Sequence, residues 1–184
     1  MNHFFQFISE KATIKNVVIG FLLIVLFNAF LLPFLPELIW GFKMPISKIL
    51  DLKFSYTLDV CYNLFDEIGA NGRNSYQLSE LFIDTPYAIV YSFTYAISIY
   101  LLLKANDLVK FKILIVTPIL IGIFDILENL GIVTMLMNFP EKLVQIAQLT
   151  SAATSLKWLF AMITFLIILL NILKITALKA LGKI

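Results

Sequence analysis

Residues 113–137 read ILIVTPILIGIFDILENLGIVTMLM. The run is long enough to cross a bilayer core, which takes about 20 predominantly apolar residues, yet Asp125 and Glu128 sit within it. On a helix, Asp125, Glu128 and Asn129 stand at i, i+3 and i+4 and share one face. A charge at bilayer depth costs at least ~2.5 kcal/mol. Such a helix turns this face toward other helices or a cavity. Gly122 and Gly131 flank the patch and permit a close neighbour. The stretch therefore predicts a spanning helix inside a bundle rather than a lone anchor.

Working outward, three more apolar runs of spanning length lie at about 16–40, 81–103 and 143–173. The first, from Val17 to Trp40, exceeds a signal-peptide core and has no small-x-small cleavage site, so it reads as a retained span. Pro33 and Pro36 predict a kinked or unwound outer end for it. The chain of 184 residues is 60% hydrophobic and 14% charged, where a soluble domain of this size carries about 25% charged residues. Soluble enzymes, nucleic-acid binders and disordered tails are excluded. The expectation is an all-α polytopic membrane protein, a four-helix transmembrane bundle forming a single domain over 1–184.

One long connection remains, at about 41–80. Within it Phe54, Leu58, Cys61, Leu64, Phe65 and Ile68 recur at helical spacing, with Asp59, Asn63, Asp66 and Glu67 opposite. Thr57 is placed to cap the N-terminus of this helix and Gly69 to stop it. An amphipathic helix at about 57–68 is therefore expected on the outer side, lying over the mouth of the bundle. Cys61 falls on its buried face as a small packing residue.

Basic residues in the flanks set the orientation. With both termini inside, the inner side holds Lys11, Lys15, Lys104, Lys110, Lys112, Lys174, Lys179 and Lys183, eight against five outside (Lys43, Lys48, Lys53, Arg73 and Lys142). Acids including Asp51 and Glu80 dilute the outer set. Both termini are expected in the cytoplasm, the chain lying in a bacterial inner membrane. The single cysteine and the single histidine (His3, in an N-terminal stretch expected to be loose) remove the usual ligands for zinc and haem and any disulfide redox pair. No such centre is expected. Expected partners are membrane lipids, together with a membrane-protein partner or a second copy of the chain, and no nucleic acid.

The polar residues inside the spans carry the functional signal. On the second span Arg73, Glu80, Asp84, Tyr87, Tyr91, Tyr95 and Ser98 fall in a stripe of roughly 80° at about 100° per residue. Buried phenols need hydrogen-bond partners, so the stripe faces protein or a cavity. Pro86 frees a carbonyl near Asp84. On the fourth span Thr150, Thr154, Lys157 and Thr164 line one face, and the segment Gln145–Lys157 is rich in small residues. Lys157 lies at the depth of Asp125, so a pair across the bundle is expected, with Glu128 and Asp84 above it.

Four uses of the cluster remain open. It can fix helix register as an internal ion-pair network, as in a structural, assembly or immunity-type subunit. It can hold the head of an amphiphile, with Arg73 engaging an anionic part, Asp84, Asp125, Glu128 and Asn129 a cationic or hydroxylated part, Lys157 the register, and Tyr87 and Tyr91 the tail. It can serve an intramembrane enzyme, with Asp84, Asp125 and Glu128 as catalytic candidates. It can conduct ions or protons in an oligomer. Neither the Tyr-Asp with Gly-x-Gly-Asp pairing of intramembrane aspartyl proteases nor the DGxxAR-type signature of lipid-head transferases is present. The segments Gly69-Ala-Asn-Gly72-Arg73, Asp84-Thr-Pro86-Tyr87, Asp125-Ile-Leu-Glu128-Asn129 and Leu156-Lys157-Trp158 resemble those of a loose group of small bacterial four-span proteins, over roughly residues 15–173. That resemblance implies no activity and no catalytic residue. The amphiphile site is the reading carried forward.

Overall fold

The computed structural model describes residues 2–43, 45 and 49–182, so Lys48 and Lys183 of the charge tally lie outside the described residues. Among these residues the regular structure is all helical, without strands, and four helices are long and apolar enough to cross a membrane: Ile14–Trp40, Gly69–Ala105, Val109–Met137 and Val144–Ala180. In chain order the elements are α1 (Asn2–Lys11), α2 (Ile14–Leu26), α3 (Leu32–Trp40), α4 (Leu58–Glu67), α5 (Gly69–Ser79), α6 (Thr85–Ala105), α7 (Val116–Met137) and α8 (Val144–Ala180). A π-helical turn, Phe27–Leu31, joins α2 to α3, and a second, Glu80–Asp84, joins α5 to α6.

Each widened turn ends two residues before a proline, Pro33 or Pro86. A proline lacks an N–H, and its ring collides with the carbonyl four residues back. A π turn carries that carbonyl aside without ending the helix. The break expected at Pro33 and Pro36 thus takes the form of a widened turn, and the helix runs on to Trp40. The N-terminal stretch is not loose. Residues 2–11 form a helix that buries Phe5 and Ile8 against Ile99, Leu103 and Ile115, because its apolar residues recur at helical spacing.

α7 packs on α6 and α8, α2 on α6, and α3 on α5. Helices approach closely where the sequence supplies glycine: a methyl group on Gly122 would overlap Ser92, and one on Gly131 would overlap Thr150. α1, the α6–α7 connection and the end of α8 gather at one end, where Tyr100 bonds Ser9 (3.1 Å) and Lys174 bonds the Asn106 carbonyl (3.1 Å). At the opposite end α4 lies across the bundle. Thr57 caps it by accepting from the Val60 N–H (3.4 Å), and Gly69, at φ +65°, ends it. Cys61, Tyr62, Leu64 and Phe65 are buried against Ile132, Met135 and Leu136, while Phe54, expected on this face, is exposed.

The segment before α4 folds back onto α8. Trp158 Nε1 donates to the Asp51 carbonyl (3.1 Å), Ser155 Oγ to the Phe54 carbonyl (2.9 Å), and the Tyr56 N–H to Ser151 Oγ (2.9 Å). Ser151, Ser155 and Trp158 stand at i, i+4 and i+7, so one polar edge of α8 receives the whole segment. This docking brings Asp51 into the bundle.

Candidate functional site

A cavity of about 590 Å³ lies between the Phe27–Trp40 stretch, α5–α6, α7 and α8, bounded at one end by Phe42, Ile49, Asp51 and Leu52. Along α8 it runs from Lys157 to Ile168, roughly 16 Å at the helical rise. Its volume is that of a site for a small molecule. One end is charged, with Asp51, Glu80, Asp84, Asp125 and Lys157. The body is aromatic and aliphatic, with Leu32, Pro33, Tyr87, Tyr91, Tyr95, Ile121, Ala161, Phe165 and Ile168.

The two π turns serve this site. The first presents Asn28, whose amide donates to the Tyr87 hydroxyl (2.6 Å) and to the Ile24 carbonyl (2.8 Å). The second presents Glu80 and Asp84, one turn apart. Tyr87, Tyr91 and Tyr95 follow down α6 in ring contact, 5.1 and 6.2 Å between successive centroids.

Lys157 is 7% exposed and meets three carboxylates: Glu128 at 2.5 Å, Asp125 at 2.8 Å and Asp51 at 3.7 Å. Each has a further donor. Tyr91 donates to Asp125 (2.7 Å), Thr154 to Glu128 (2.7 Å) and Tyr76 to Asp51 (3.2 Å). Asn129 donates to Asp84 (2.8 Å) and, at 3.3 Å, to Thr85. Burial pushes the Asp51 carboxyl above its usual range, with Lys157 pulling the other way.

Of the residues singled out in sequence, Asp84, Tyr87, Tyr91, Asp125 and Lys157 line the cavity together. Glu128 and Asn129 are fully buried immediately behind them. Arg73 stands apart. Its guanidinium donates to the Phe65 carbonyl (2.8 Å) in the last turn of α4 and stacks 4.1 Å over the Phe139 ring. It lies two turns above Glu80, where α4 closes the bundle, and it neutralises a helix C-terminus there. Glu80, which the sequence placed on the outer extension of the tyrosine stripe, lines the cavity, and so does Asp51, which the sequence placed only among the acids of the outer segment. For Asp51 the signal was an isolated acid between Leu50 and Leu52.

No protein-family model matches the chain, and no curated protein or solved structure is significantly similar to it.

Proposed function

We propose that the chain is an integral membrane protein that binds a lipid-like amphiphile in this cavity. The observation that carries the reading is the cavity's polarity: a carboxylate-rich end continuous with an apolar, aromatic body. α3 and α8 flank that body and make next to no direct contact with each other. Leu32, Pro33 and Pro36 stand on one side, Trp158, Ala161 and Phe165 on the other. A hydrocarbon tail can enter there sideways. Membrane insertion is supported by the outward faces: Leu22, Val25, Phe30 and Leu38 on α2–α3 and Leu149, Met162, Phe165 and Leu170 on α8 are all exposed, an apolar surface that a lipid phase would cover. The lysines at the end that gathers α1, the α6–α7 connection and the α8 C-terminus support a cytoplasmic position for both termini.

In this reading Asp84 and Asp125 hold a cationic or hydroxylated head, Lys157 keeps Asp125 and Glu128 in place, and the tyrosine stripe flanks the tail. The test is native mass spectrometry of protein purified in mild detergent and incubated with a lipid extract. A defined adduct is expected on the wild type, lost in Ala161→Trp, which fills the cavity body, and in Asp125→Asn, while both variants stay folded. A bare protein across several lipid mixtures, or an adduct that Ala161→Trp leaves intact, would refute the reading and leave the cluster as internal pairing.

A further inference from the structure

Asp51 belongs to two carboxylate triads. In the first, with Asp125 and Glu128, one oxygen of each residue lies within 4.8 Å of the others. The Lys157 ammonium reaches all three of these residues. In the second, Asp51 meets Glu80 and Asp84, again with one oxygen of each within 4.8 Å of the others. Among the described residues no lysine or arginine forms an ion pair with Glu80 or Asp84. Glu80 is 4% exposed, and its Oε2 is buried and accepts no hydrogen bond among them. The first triad shows how this fold satisfies three converging carboxylates, with a cation between them. The second has the same construction and no side-chain cation of its own among the described residues.

We propose that Asp51, Glu80 and Asp84 bind one hard divalent cation of the Mg²⁺, Mn²⁺ or Ca²⁺ type. Three observations converge on it. The donors are all carboxylate oxygens, with no nitrogen or sulfur, which selects hard ions over zinc or copper. Their separation fits one coordination sphere, since two oxygens on opposite sides of an ion at about 2.1–2.4 Å lie up to about 4.8 Å apart. Two of the three carboxylates are also oriented from behind. Tyr76 donates to Asp51 Oδ2 and Asn129 to Asp84 Oδ2, the arrangement that fixes carboxylates around a metal. Asp51 arrives on the turn Leu50–Leu52, while Glu80 and Asp84 open and close the π turn. All three line the cavity, so the remaining coordination positions of the ion face it. The proposal does not rest on the amphiphile reading, although Asp84 serves both: a cation can bind with the apolar body unused, and with both bound the ion would stand between Asp84 and the amphiphile's head.

The test titrates the purified full-length protein in detergent with Mn²⁺ alone at neutral pH, reading bound ion by electron paramagnetic resonance. One Mn²⁺ per chain is expected, displaced by Ca²⁺ or Mg²⁺ and raising the unfolding temperature as a ligand of the folded state does. Glu80→Gln and Asp84→Asn should each weaken binding tenfold or more and abolish that rise, with circular dichroism unchanged. Asp125→Asn, in the triad held by Lys157, should keep the ion. Absence of saturable Mn²⁺ binding to the wild type would overturn the proposal whatever the variants do. So would binding that Glu80→Gln and Asp84→Asn leave intact. If the wild type instead shows a protonated-carboxyl infrared band that Glu80→Gln removes and no bound Mn²⁺, the triad shares a proton and the proposal fails.

Discussion

Replacing Lys157 by methionine keeps the length of the side chain and removes its charge. Asp125, Glu128 and Asp51 then lose the ammonium that stands 2.8, 2.5 and 3.7 Å from them. Glu128 is fully buried and Asp125 4% exposed, so water does not substitute for it. Removing one partner of a buried ion pair costs about 3–5 kcal/mol, whereas replacing every member by neutral groups of similar volume is nearly neutral. At roughly 2–4 °C per kcal/mol for a chain of this size, Lys157→Met should lower the unfolding temperature by about 6–20 °C. Adding Asp125→Asn should return part of the loss and adding Glu128→Gln most of it, because Tyr91 and Thr154 still have an oxygen to donate to. The assay is thermal unfolding in detergent, followed by circular dichroism and checked by size-exclusion chromatography. A single variant within about 2 °C of the wild type, less than 1 kcal/mol, would show that the ammonium is not what holds these carboxylates. A triple variant as unstable as the single one would show that the loss comes from packing rather than charge.

Two further outcomes follow from the packing. Gly122→Ala places a methyl group on Ser92, and Gly131→Ala places one on Thr150; each should cost about 1–3 kcal/mol, with part of the Gly122→Ala loss recovered by adding Ser92→Ala, and no shift in unfolding temperature would mean that α7 stands further from α6 and α8 than described. Cys61 is fully buried and its thiol is pushed from 9.0 up to about 12, chiefly by burial. Near pH 8 its thiolate share is therefore ~1,000-fold below that of an ordinary thiol. Iodoacetamide should leave Cys61 unmodified in the folded protein and modify it fully in denaturant. Because the value is raised, the thiol's contribution to stability is complete below pH 9 and is lost as the pH rises through about 12; rapid native labelling would show that this face of α4 is not held against α7.

The four long helices, and the inward face carrying Asp125, Glu128 and Asn129, were legible because a charge inside an apolar run has few places to go. Lys157 at matching depth could be paired with Asp125 by counting residues from the span ends. Asp51 could not be reached in this way. It lies in a connection without periodicity, and its position depends on hydrogen bonds that Ser155 and Trp158 donate and Ser151 accepts, along an edge of α8 of which the sequence showed only a segment rich in small residues. Arg73 fell on the tyrosine stripe of a uniform helical wheel. The wheel says nothing of where one neighbour ends and another begins, and α4 claims that side chain before the cavity starts.

The prolines connect these successes and failures. Pro33 and Pro86 read in sequence as interruptions, yet each is tolerated inside a continuous helix by the π turn before it. The two turns place Asn28 opposite Tyr87 and stack Glu80 above Asp84. The helix positions that cost most regularity supply Asn28, Glu80 and Asp84 to the cavity. A bundle built only to bury its own charges would need one ammonium and the carboxylates around it. This one adds Glu80, Asp84 and an apolar chamber beside them, and that surplus is the physical ground for treating the cluster as a site rather than as a fastening.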